Sequence, residues 1–252
     1  MDPDETIELS QDQAPAPQSY EELAGRLEAV LLDPLAGDSQ VVELCREAAG
    51  LGLAAVFVRP CDLELAVTQL KGSGVAPGSV CGYPHGWSTT AVKMFEIRDL
   101  LRRGAREILA AAPAGRLVSR QFQAVESEVL QMARACREEG AKFRLLLDHL
   151  DLTEDLKVIG MKIAKRCEAD FVQAALEPAP SLWAAVPMYR KILKWFCGLS
   201  LPVPEESLDS VLRLYGLDAA RIQCRKPSFI LAAWRQRLQQ QARPGAADAS
   251  SE

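Results

Sequence analysis

Short, almost uniformly apolar runs alternate along the chain with longer stretches in which apolar residues recur every three or four positions. The apolar runs are AAVFVRP (54–60), SVCGYP (79–84), EILAAAP (107–113), FRLLLDH (143–149), FVQAAL (171–176), WFCGLSL (195–201) and ARIQC (220–224), with a weaker first one at EAVLLD (28–33). Runs this short and this apolar predict strands buried on both faces. The intervening stretches, among them TTAVKMFEIRDLLRRGA, QFQAVESEVLQMARACREEGA and EESLDSVLRLYG, carry helical periodicity. Several of them end in Gly, the residue favoured just past a helix C-terminus. Eight strands alternating with eight helices over about 220 residues predict an α/β protein, a single-domain (β/α)8 TIM barrel. The runner-up is an open Rossmann-like sheet. It is disfavoured because no GxGxxG follows an early strand and no Walker-type phosphate loop occurs.

Two ends fall outside this alternation. Residues 1–18 are acidic with PAPQ punctuation, and residues 243–252 (RPGAADASSE) are small and polar, so both are expected to be disordered tails around a barrel at 19–242. The formal net charge of -5, with basic residues scattered, excludes the basic stripe of a nucleic-acid binder. No run approaches the roughly 18 consecutive apolar residues of a membrane helix, and the acidic start does not resemble an export signal. Seven separated cysteines without a CxxC, and only two histidines, read as reduced thiols in a cytoplasmic protein with neither a metal site nor a cofactor.

Specific chemistry enters at GYPHGWSTTAVKMFE (82–96). Gly82, Pro84, Gly86, Thr89, Thr90, Lys93 and Glu96 resemble the strand-3 to helix-3 signature of the deoxyribose-phosphate aldolase family, which are class I aldolase barrels. Weaker matches follow in family order: LCREA (44–48), AAVFVRP (54–60), LKGSGV (70–75), GAREI (104–108), ADFV (169–172) and ARI (220–222). The resemblance implies a lyase of deoxyribonucleotide catabolism. A strand-6 lysine would form a Schiff base with 2-deoxyribose 5-phosphate, which is then cleaved to glyceraldehyde 3-phosphate and acetaldehyde. Such chemistry needs an amine of lowered pKa, acid/base groups for the carbinolamine, and backbone amides around the phosphate.

Carried over by position, the Schiff-base lysine falls on Gln173, the second lysine, of strand 7, on Cys197 and the strand-4 aspartate on Leu109. An amide nitrogen has no attacking lone pair, Leu109 offers no proton, and no lysine occurs between Arg166 and Tyr189. The glycine-rich turns expected after strands 7 and 8 read Ser200-Leu201 and Gln223-Cys224-Arg225-Lys226-Pro227. The expected protein is therefore an aldolase-family barrel with no intact catalytic set, a pseudoenzyme that binds a metabolite or a protein. The alternative is an active lyase with a relocated lysine, for which Lys226 is the candidate.

The expected pocket gathers Arg59, His85, Asp148, His149, Gln173 and Cys197 at the strand ends. Asp148 and His149 could share acid/base work, but neighbours on a strand face opposite ways, so a capping acid and a half-exposed His are preferred. His85 reads as a loop residue, and Cys197 as an inert thiol unless Arg225 or Lys226 activates it. Arg225 and Lys226, ahead of the last helix, either bind the anion of a phosphorylated small molecule or turn to solvent. Thr89 and Thr90 cap a helix on which Lys93 and Glu96 form an i,i+3 pair. Trp183, Met188 and Trp195 are candidates to fill the mouth, and the family's habit of dimerising leaves room for a homodimer.

Overall fold

The structure, a computed structural model, describes residues 16–147, 152–174 and 182–242. Eight parallel strands close into a barrel in chain order. They are β1 (Leu27–Leu31), β2 (Ala55–Val58), β3 (Ala76–Cys81), β4 (Glu107–Ala111), β5 (Lys142–Leu146), β6 (Phe171–Gln173), β7 (Gly198–Pro202) and β8 (Arg221–Gln223). The ring is sealed where β8 pairs with β1 through Leu27↔Ile222 and Glu28↔Gln223. The helical shell comprises α1 (Tyr20–Ala24), α2 (Asp38–Leu51), α3 (Leu63–Leu70), α4 (Thr90–Arg102), α5 (Ala114–Val118), α6 (Phe122–Glu138), α7 (Glu154–Arg166), α8 (Leu182–Leu193), α9 (Leu208–Gly216) and α10 (Pro227–Gln241). This is the (β/α)8 barrel that the alternation predicts.

Burial explains the uniform apolarity of the strands. All residues of β2 and β4 are buried, because one set faces the barrel axis and the alternate set faces the helices. Ala55, Phe57, Val80, Leu109, Ala111 and Leu146 form the inner cluster, while Val56, Val58, Ile108 and Ala110 join the larger core under the helices. Helix starts follow local chemistry: Ser19, Thr89 and Ser207 accept hydrogen bonds from the backbone N–H groups of Glu22, Val92 and Ser210. Gly86, at φ 66°, lets the β3–α4 loop press against the end of β4; a Cβ there would lie 2.0 Å from the Ala112 carbonyl oxygen.

Two expectations change. The run at 195–201 is not one strand: α8 ends at Leu193, Lys194 has φ 53°, and β7 starts at Gly198. Trp195 and Phe196 stack on each other with centroids 3.8 Å apart and are 81% and 53% exposed. Their apolarity mimicked a buried strand because composition cannot distinguish a ring packed inside from one packed on its neighbour. Lys93 does not pair with Glu96 either. It is fully buried, and its Nζ donates to Glu128 Oε1 at 2.7 Å and to the Ala111 carbonyl at 2.9 Å. Thr90 Oγ1 donates to the other Glu128 oxygen, and Glu96 accepts from the Gly82 N–H. The family-like motif thus ties α4 to α6 and to the end of β4.

A buried charge deprived of its partner costs about 3–5 kcal/mol, whereas an apolar pair of similar volume is often neutral. Lys93→Ala is expected to lower unfolding stability by about that amount in urea titrations. Lys93→Met combined with Glu128→Leu should recover most of the loss.

Candidate functional site at the barrel mouth

The barrel axis holds charges rather than an apolar plug. Arg144, in the middle of β5, is fully buried, with Nη1 2.5 Å and Nη2 2.8 Å from the two carboxylate oxygens of Glu28 on β1. Nη2 also donates to Glu107 Oε2 on β4 at 2.9 Å. Arg221 on β8 completes the set, 3.0 Å from Glu107 Oε1 and 3.9 Å from Glu28 Oε2. Two carboxylates and two guanidinium groups leave no net charge. Burial pulls the Arg144 pKa down, but the charges and hydrogen bonds of Glu28 and Glu107 outweigh it and hold it above the ordinary arginine value.

Space for this guanidinium comes from glycine. Gly78 on β3 lies beside Phe57, and Gly198 on β7 beside Phe171; a Cβ on either would come within 2.7 Å and 2.5 Å of the ring. Both rings therefore point inward, with centroids 4.7 and 5.2 Å from Arg144 Cζ. Ser200 on β7 accepts from Arg144 at 2.9 Å and donates to Glu28 at 3.2 Å. Gln173, at the end of β6, accepts from Arg144 at 3.2 Å and donates to Gln223 on β8 at 2.9 Å.

One layer nearer the C-terminal ends of the strands, where Val30 follows Glu28 and Leu109 follows Glu107 by two residues, a cavity of about 560 Å³ opens. Val30, Leu32, Leu109, Pro202 and Val203 supply its apolar lining; Asp33, Tyr83, Glu206, Gln223, Cys224 and Arg225 supply the rest. Glu206 accepts from the backbone N–H groups of Arg225 at 2.8 Å and Lys226 at 3.2 Å, and Arg225 Nε stands 3.6 Å from the same carboxylate. The two backbone amides leading into α10 are thus turned to a carboxylate of the protein itself.

The structure brings few of the expected pocket residues together. Gln173 does face the axis and Leu109 lines the cavity. Arg59 is not among the residues lining the cavity: its guanidinium binds Asp62 and the carbonyls of Asp33, Pro34 and Ala36, fastening the loop after β1. His85 stacks against Trp87 in the β3–α4 loop, with ring centroids 4.5 Å apart. Asp148 and His149 lie outside the described residues. Cys197 precedes β7 and so sits at the opposite end of the barrel; the residue beside Gln173 on β7 is Ser200. Burial, and to a smaller degree Asp170, push the Cys197 thiol up to about 12, and among the described residues the cation that opposes them is Arg190 rather than Arg225 or Lys226. Ser200 and Leu201 belong to β7 rather than to a turn. Neither Trp183, which stacks on Arg213, nor the exposed Met188 and Trp195 line the cavity.

Glu28, Glu107, Arg144, Ser200, Glu206 and Gln223 were missed in the sequence. For the first three a signal existed: LEAVL and EILAA each set one charge at an axis-facing position among apolar residues, and KFRLL sets two, of which Arg144 is the one in mid-strand. All nine lysines of the chain are among the described residues, and none lines the cavity. Among those residues no cluster of His, Cys, Asp or Glu could hold a metal, and no helix is long and apolar enough to cross a membrane.

A closed parallel barrel with its polar cavity at the strand C-termini is the architecture of a TIM-barrel enzyme class. No family model matches the chain. It is 31% identical over 206 residues to a deoxyribose-phosphate aldolase of Bacteroides thetaiotaomicron, covering 81% of this chain and 87% of that one. A deoxyribose-phosphate aldolase of Clostridium perfringens is 33% identical over 155 residues, covering 62% of this chain and 69% of its own. In structure, a putative deoxyribose-phosphate aldolase from Coccidioides immitis superposes with a TM-score of 0.80 at 23% identity, over 88% of each chain. The deoxyribose phosphate aldolase of Aeropyrum pernix, described as a tetramer, has a TM-score of 0.77 at 22% identity, over 87% of this chain and 94% of its own. The chain belongs to the deoxyribose-phosphate aldolase family.

Arg144→Leu is expected to lower stability by about 3–5 kcal/mol in urea, because Glu28 and Glu107 lose their principal counter-charge. Of the seven cysteines only Cys61 is exposed. Native thiol titration should therefore show one fast equivalent, abolished by Cys61→Ser.

Proposed function

We propose that this chain is an aldolase-family barrel that binds a small molecule at its mouth without forming an imine with it. The observation that carries this reading is Gln173. The resemblance assigns this position to the Schiff-base lysine, and here an amide stands there, accepting from Arg144 and donating to Gln223. An amide so held cannot attack a carbonyl, and no lysine lines the adjoining cavity. Leu109 supplies no acid or base, and Ser200 already hydrogen-bonds both Arg144 and Glu28.

A second reading is favoured by a different observation, the shared name of the relatives, one of them matched over 87% of its length. In it the chain is an aldehyde-lyase cleaving 2-deoxyribose 5-phosphate, with Lys226 at the start of α10 as the displaced amine. The two readings differ in one covalent bond. Borohydride added with 2-deoxyribose 5-phosphate should leave the intact mass unchanged, while a lysine-bearing relative gains the reduced adduct under the same conditions. An adduct that peptide mapping places on a lysine would establish the lyase reading instead.

A further inference from the structure

The polar contacts below the mouth run in one direction. Arg144 has only donors, so Gln173 must offer it Oε1, at 3.2 Å. That leaves Gln173 Nε2 to donate to Gln223 Oε1 at 2.9 Å. The acceptor end of Gln223 is thereby engaged, and its Nε2 has no hydrogen-bond partner among the described residues, while the side chain lines the cavity. A chain of hydrogen bonds that starts at a buried cation polarises each link toward its end, making that terminal N–H the stronger donor. What it lacks is an acceptor oxygen.

The remaining lining says which kind of oxygen. Asp33 and Glu206 face the same space as Arg225, the only cation lining it among the described residues, and Arg225 is paired with Glu206. The backbone amides of Arg225 and Lys226, just ahead of α10, already bind that carboxylate. A phosphate entering here would meet the like charge of Asp33 and Glu206. Val30, Leu32, Leu109, Pro202 and Val203 suit an apolar body instead.

We propose that the mouth cavity is a site for an uncharged ligand carrying a carbonyl or hydroxyl oxygen, which Gln223 Nε2 grips and from which Glu206 excludes phosphates. This rests on the reading of the mouth as a binding site, and it is tested by reversible binding, independently of whether an imine can be trapped.

The probes are cyclohexanone and cyclohexyl phosphate, titrated into the ¹⁵N-labelled full chain. Cyclohexanone should shift the Gln223 side-chain amide signals saturably, and cyclohexyl phosphate should not. Gln223→Glu keeps the oxygen that accepts from Gln173 but removes the donor, and should weaken cyclohexanone by about tenfold. Glu206→Gln should admit cyclohexyl phosphate, seen as shifts of the Arg225 and Lys226 amides. Tighter binding of the phosphate than of the ketone by the unmodified chain overturns the proposal, as does a ketone that leaves Gln223 unmoved. Unchanged ketone affinity in folded Gln223→Glu, or no phosphate binding in folded Glu206→Gln, overturns it too. Should either variant fail to fold, the comparison of the two probes on the unmodified chain decides.

Discussion

The guanidinium of Arg144, stripped of water on the barrel axis, constrains everything around it. Such a charge is tolerated only where counter-charges and hydrogen bonds replace its hydration, and Glu28, Glu107, Ser200 and Gln173 provide them from four different strands. Each partner must stand at an axis-facing position in the right layer, so the strand register and the ion cluster demand one another. The inward glycines follow from the same requirement, since Phe57 and Phe171 flank the guanidinium only because Gly78 and Gly198 leave their rings room.

This cluster also sets the character of the mouth. Gln173, where the family resemblance places an amine, is held by Arg144 and passes its orientation to Gln223, whose amide lines the cavity. Glu206 does the corresponding thing at the rim by satisfying the backbone amides of Arg225 and Lys226. Membership of the aldolase family accounts for the barrel, within which the buried Lys93–Glu128 pair ties α4 to α6.

Much of the fold was legible because parallel-barrel strands are buried on both sides, and a run such as AAVFV has no other soluble use. Legibility failed where apolar residues are exposed, as at Trp195 and Phe196, and where a charge finds its partner far along the chain. Lys93 has Glu96 as a helix neighbour, but burial makes Glu128, thirty-five residues on, the better partner. Cys197 was placed on the axis by counting along an apolar run that proved to contain the end of a helix and a turn.

The sequence by itself determined the alternation of strands and helices, the family, and the want of a lysine on strand 6, since these depend on local periodicity and residue identity. Only the tertiary structure decided which polar groups meet. Glu28 and Arg144 are 116 residues apart, and Glu206 reaches the amides of Arg225 and Lys226 from a different loop. Closure of the barrel places them within hydrogen-bonding distance, and desolvation on the axis makes the Glu28–Arg144 pairing obligatory.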